Sequence, residues 1–206
     1  MSRFNYLRCP QAIYDASFQT IEAAHDWTGF PDGIRPIAKR MVHAVGRVDF
    51  LADLKWRGNP LAAGQAALAG GRKLLVDSRM VAAGIIDGVC KPDQLVCMLD
   101  EIPAQPIGVD ETRSMAGMTA CKDRLEGAVL VIGNAPTALF RLLEGLLDEA
   151  WPKPALVFGL PVGYIGAAEA KQAFLEHLPQ DCALVTVAGR FGGSALAAAC
   201  VNALKG

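Results

Sequence analysis

Apolar positions along the chain change their period once, after Gly71. Before that point they recur at helical spacing. Pro10 suits a first-turn position, and Ile13, Ser17, Phe18 and Ile21 follow three and four apart. A Gly/Pro/Asp loop at 29–33 precedes a second helix, expected from Pro36, with Ile37, Met41, Ala44 and Val45 on its apolar side and Gly46 as its stop. A third helix is expected between Asn59-Pro60, a cap residue followed by proline, and Gly70-Gly71.

Beyond Gly71 short runs that are apolar throughout alternate with helical stripes. Runs at 73–77, 95–99, 128–132, 155–158 and 183–187 read as strands. Helices are expected around 80–83, from near Asp110 through Leu125, and over 136–150, 167–178 and 193–204; Leu139, Leu142, Leu143 and Leu146 make the clearest stripe. Strands without polar alternation are buried on both faces, which is the condition of a parallel sheet covered by helices. The expectation is one α/β domain over residues 1–206, with a mostly parallel sheet flanked by helices and the N-terminal helices packed beside or over it. No linker or internal repeat interrupts it.

Composition supports a folded chain: 52% of the 206 residues are hydrophobic and 20% charged. No apolar stretch approaches the ~20 residues of a membrane span, and the start of the chain lacks the apolar segment of a signal peptide. Six cysteines are scattered without a paired spacing and sit mostly among Ala, Val and Leu, so a reducing cytoplasm is expected rather than a disulfide framework or a zinc site. A net charge of −1 gives no general attraction for nucleic acid or membrane. An anionic ligand would need local positive features.

Such features cluster where the sheet should end. Ligands of open parallel sheets collect at the carboxyl ends of the strands. Three of those ends carry Gly-rich polar loops: 133–137, 159–166 and 189–194, the last holding Arg190 and Ser194. Each runs into a helix N-terminus, where free N–H groups and the helix dipole favour anions. Taken singly, each loop reads as a tight turn; the three together favour an anionic ligand. None fits the Walker pattern or G-x-G-x-x-G, so a nucleotide is not supported. In the second helix Arg40 and His43 lie three apart, which sets a fixed cation beside a group that exchanges protons near neutral pH. Spacing leaves open an exposed Arg and a core-edge His bonded to a carbonyl. His25 and His177 read as surface residues.

With these residues in view, the chain resembles the precorrin-8X methylmutases, also called precorrin isomerases. Met41-Val42-His43-Ala44 looks like the family's histidine motif. The ten residues Val131-Ile132-Gly133-Asn134-Ala135-Pro136-Thr137-Ala138-Leu139-Phe140 resemble its most distinctive signature. Pro161-Val162-Gly163-Tyr164, then Ala167-Ala168-Glu169-Ala170-Lys171, Thr112-Arg113-Ser114 and Gly189-Arg190-Phe191-Gly192-Gly193-Ser194 extend the likeness from about Tyr6 to Leu204. Phe191 stands where a basic residue is common, and Arg79 where an acidic or amide residue is usual.

The resemblance implies an α/β homodimer with active sites at or near the subunit interface. It implies an isomerase of cobalamin biosynthesis that moves a methyl group on ring C of a polycarboxylate corrin precursor, precorrin-8X or its cobalt form. No redox cofactor, nucleotide or protein-bound metal is implied. By the resemblance, His43 is the catalytic proton donor and acceptor, and Ser17 and Arg40 contact the substrate. Arg113, Asn134, Gly192, Gly193 and Ser194 are expected to join them in substrate binding. Two alternatives stay open: a tetrapyrrole carrier that does not convert its ligand, and another polycarboxylate isomerase.

Overall fold

The structure, a computed structural model, describes residues 3–104 and 107–205. Its helices are α1 (Pro10–Ala23), α2 (Arg35–Val45), α3 (Pro60–Ala69), α4 (Arg79–Ala83), α5 (Arg113–Ala120), α6 (Pro136–Asp148), α7 (Ala167–His177) and α8 (Ser194–Asn202). The strands are β1 (Leu54–Arg57), β2 (Leu74–Val76), β3 (Leu95–Cys97), β4 (Val129–Ile132), β5 (Leu156–Gly159) and β6 (Ala183–Val187). They form one sheet in the order β1-β6-β5-β4-β2-β3, parallel throughout except for β1, which pairs antiparallel with β6 from Leu54↔Val187 to Arg57↔Leu184. The expected mostly parallel α/β domain is what forms.

The helix ends follow their local chemistry. Gly46, at φ 67°, closes α2 in the left-handed conformation that glycine adopts without a Cβ penalty. The Asn59 side chain accepts from the Ala62 N–H and starts α3, ahead of Pro60. Thr112 does the same for α5 through the Met115 N–H, so this helix begins at Arg113 rather than near Asp110 and ends at Ala120, short of Leu125.

Two apolar layers sandwich the sheet. Alternate strand residues (Leu74, Val76, Val129, Val131, Phe158 and Val185) pack against α2, α4 and α8 on one face. Leu75, Leu130, Ile132, Val157 and Leu184 meet α5, α6 and α7 on the other. α1 lies outside α2, and α2 packs along α8. From β2 the chain passes first to β3 on one side and then to β4 on the other. The carboxyl ends of β2 and β4 therefore flank the point where strand order reverses.

Candidate active site

Two groups of candidate residues emerge. The first lies between α1 and α2. A cleft of about 840 Å³ is lined by Ser17, Thr20, His43 and Arg47 and by apolar side chains that include Leu7, Ile13, Ile21, Val42 and Val48. That volume suits a large organic ligand, for which sites of roughly 300–1,000 Å³ are usual. The His43 ring stacks on Phe18 at 5.2 Å and 23°, with Tyr14 at 6.2 Å. Since Phe18 also packs on Tyr14, tilted at 32° with the ring centres 4.5 Å apart, the imidazole has an aromatic wall. His43 is exposed on its cleft side rather than buried at the core edge. The Ser17 hydroxyl donates to the Ile13 carbonyl at 2.8 Å, so it turns acceptor lone pairs to the cleft and must release Ile13 to donate.

Arg40 lies one turn before His43 but opens on the other side of the aromatic pair. Its guanidinium sits 5.5 Å from the Tyr14 ring centre and 5.9 Å from that of Phe18. There it lines a smaller cavity of about 330 Å³ with Arg35, Lys39 and Lys205. Arg40 and His43 thus touch one aromatic ring from neighbouring cavities.

The second group gathers at the strand ends, where the three glycine loops touch. The Gly193 N–H donates to the Leu160 carbonyl at 2.8 Å, and the Gly163 N–H to that of Arg190 at 3.4 Å. Gly192 is pressed against this partner loop: a Cβ there would lie 2.4 Å from the Leu160 oxygen and 2.6 Å from that of Pro161. A Cβ on Gly133 would approach the Ser194 Cα at 3.1 Å, which joins the 133–137 loop to the start of α8. Arg113 sits at the start of α5, exposed, next to the Thr112 hydroxyl that bonds the Thr137 hydroxyl at 2.9 Å. Arg113 is therefore on the face of the sheet opposite α2. The link between the two groups is Phe191, which packs on Phe50 at 5.4 Å and lies beneath the Arg47 guanidinium at 5.1 Å. The other departure from the family pattern, Arg79, forms an ion pair with Asp100. His177 is exposed, whereas His25 is half-buried, edge-on to Trp27 and Phe30.

One expectation is corrected. In the loop at 133–137 the N–H groups of Gly133, Asn134 and Ala135 are not offered to an anion, because Asp77 already occupies them. Its carboxylate, 2% exposed at the end of β2, accepts from Gly133 at 3.0 Å, Asn134 at 2.8 Å and Ala135 at 2.9 Å. The crevice at the strand reversal is filled by the protein's own carboxyl group. Burial holds the Asp77 carboxyl above the usual carboxylate range, against the smaller downward pull of the three N–H groups and the Ser78 hydroxyl. The exposed Asn134 side chain remains free to meet a ligand while its backbone is held.

A second group escaped the sequence reading. Lys171 on α7 is fully buried, and its Nζ donates to the carbonyls of Gly189 at 3.0 Å and Phe191 at 2.6 Å. Burial lowers its ammonium to about 8. Both groups left a trace in the sequence. Asp77 directly follows an apolar strand, and Lys171 interrupts the apolar stripe of Ala167, Ala170 and Phe174. Burial pushes the Cys121 and Cys182 thiols up to about 11 and that of Cys200 up as well, which keeps them protonated and unreactive. Among the described residues no helix is long and apolar enough to cross a membrane.

Comparison with known proteins places the chain in a family. Residues 12–205 match the profile of the family described as precorrin-8X methylmutase. A protein of that name from Pseudomonas aeruginosa is 46% identical over 203 residues, 97% of each chain. Another from Sinorhizobium is 40% identical over 207 residues, covering 99% of this chain and 98% of the relative. A crystal structure of the precorrin-8X methylmutase from Thermus thermophilus superposes with a TM-score of 0.81 at 33% identity over 94% of both chains.

Proposed function

The chain belongs to the precorrin-8X methylmutase family, and from that membership we propose that it isomerises precorrin-8X with His43 as the proton-exchanging group. It is an isomerase of cobalamin biosynthesis. The methyl group leaves the α-carbon of ring C and forms its new bond to the adjacent β-carbon, so no atom is gained or lost. Such a shift needs little covalent help. It needs a macrocycle held in one geometry and a proton placed so that the charge reorganisation is favoured. The observation that carries this reading is the His43–Phe18 pair: an imidazole, stacked at 5.2 Å, at the wall of an 840 Å³ apolar cleft that also takes in Ser17. Imidazole is the side-chain type that passes protons near neutral pH.

The polycarboxylate rim of the substrate calls for cations. Arg40 and Arg113 can each grip a carboxylate through two parallel hydrogen bonds. Ser194 and the backbone at Gly192-Gly193 lead into α8, whose first turn has no side-chain cap. We further propose a homodimer with the active sites near its interface. Exposed apolar residues beside the cleft (Leu7, Ile13, Tyr14) and at the strand ends (Val162, Tyr164, Ile165) support it, since a partner or a macrocycle would cover them. Free thiols suit a cytoplasmic location. No cofactor is assigned, and cobalt, where present, would be chelated by the macrocycle.

His43→Ala tests the assignment. The rate should fall by ~10²–10⁴-fold, while the fold and product binding persist. A folded variant that turns over at the wild-type rate removes His43 from the mechanism.

A further inference from the structure

We propose that Arg190 is a substrate-binding cation for this reaction, and that buried Lys171 is its positioning residue. The inference rests on the isomerase reading and adds two residues to it. It begins with the backbone around Arg190, where three successive carbonyls are all held. Lys171 Nζ donates to the one before and the one after, Gly189 and Phe191, at 3.0 and 2.6 Å. The Gly163 N–H donates to the carbonyl of Arg190 itself at 3.4 Å. Two residues on, Gly192 sits against the Leu160 and Pro161 oxygens with no room for a Cβ. With these carbonyls held, Phe191 turns its ring in to Phe50 and the neighbouring Arg190 side chain turns out to solvent. The Arg190 guanidinium lies 5.4 Å above the ring of Tyr164, itself 83% exposed.

The choice of lysine has a physical reason. Burying an ammonium is costly, and a hydrophobic residue in the α7 stripe would pack as well. The lysine is worth having where its charge-assisted bonds to two carbonyls fix a backbone that neutral contacts would leave loose. Among the described residues Arg190 has no carboxylate within ion-pair distance, unlike Arg141, which pairs with Glu149. A guanidinium held over an exposed aromatic ring at the carboxyl ends of the strands is prepared for a carboxylate on an apolar ring system. The ring face is for the tyrosine and the acid arm is for the arginine. Preorganisation lowers the entropic cost of that contact.

The test is steady-state kinetics on Arg190→Ala, Lys171→Met and the double variant, with the wild type converting precorrin-8X as the control. Losing one charge-assisted contact should raise KM in Arg190→Ala by about ten- to a hundredfold, with a much smaller change in kcat. Lys171→Met should raise KM in the same direction. In the Arg190→Ala background it should add little, because the loop then has no cation to position. Multiplicative KM effects in the double variant would show that Lys171 acts independently of Arg190, and an unchanged KM in Lys171→Met would leave it a purely structural residue; either would overturn its positioning role. An unchanged KM in Arg190→Ala would overturn the whole inference, whether or not Lys171→Met folds. Failure of the wild type to convert the substrate would instead strike the isomerase reading.

Discussion

Replacing Asp77 should loosen the fold by an amount that its three hydrogen bonds define. In Asp77→Ala the N–H groups of Gly133, Asn134 and Ala135 lose acceptors that stand at 3.0, 2.8 and 2.9 Å. A buried donor left without a partner costs about 1–3 kcal/mol. Gly133 is buried and pays most of that, whereas Asn134 and Ala135 are reached by solvent and recover part of theirs through water. Removing the carboxylate also relieves the desolvation that pushes its pKa up, which draws the sum toward its lower end. The net expectation is a loss of about 2–4 kcal/mol. Asp77→Asn should cost about half as much. Its oxygen can keep the Asn134 and Ala135 bonds, and only the Gly133 N–H then confronts an amide donor. Urea unfolding followed by circular dichroism reads both, as a lower midpoint at an unchanged slope. If Asp77→Ala unfolds within about 0.5 kcal/mol of the wild type, the three bonds do not hold the loop and the reasoning fails.

Two further substitutions probe substrate contacts. Arg40→Lys keeps the charge but loses the planar fork and the stack on Tyr14 and Phe18, so KM should rise by roughly ten- to a hundredfold with little change in kcat; a large fall in kcat at constant KM would mean that Arg40 acts only in the transition state. Gly192→Ala must push the loop off the Leu160 and Pro161 oxygens, so it should cost about 1–3 kcal/mol of stability and raise KM. Gly29→Ala, which meets nothing within 4 Å, is the control, and equal behaviour of the two variants would contradict the close-packing argument.

Most of the fold was legible because its strands carry no polar alternation, so period alone separates them from the helices. The 183–187 strand and the start of the helix at Pro136 fall where the pattern put them. β1 was not legible. Leu54-Lys55-Trp56-Arg57 sits at the sheet edge, where three of its four residues reach solvent, and its antiparallel pairing to β6 is a long-range choice that local sequence does not encode. The helix expected through Leu125 stops at Ala120 because Cys121 leaves helical geometry and a 3₁₀ turn follows. In the site, helical spacing brought Arg40 and His43 together, but it could not show Phe18 standing between their cavities, since that ring comes from α1. Glycine loops announced a strand-end site. The carboxylate that fills one of them, Asp77, lies 56 residues earlier in the chain from Gly133, beyond the reach of any local motif.

The central claim is that this protein moves a methyl group within precorrin-8X. Anaerobic incubation of the enzyme with that substrate, read by absorption and by mass, tests it most directly. The account predicts a product of unchanged mass whose visible spectrum moves to the red, because the ring carbon that gives up its methyl rejoins the conjugated path. A product of altered mass, or bound substrate whose spectrum never changes, would contradict it.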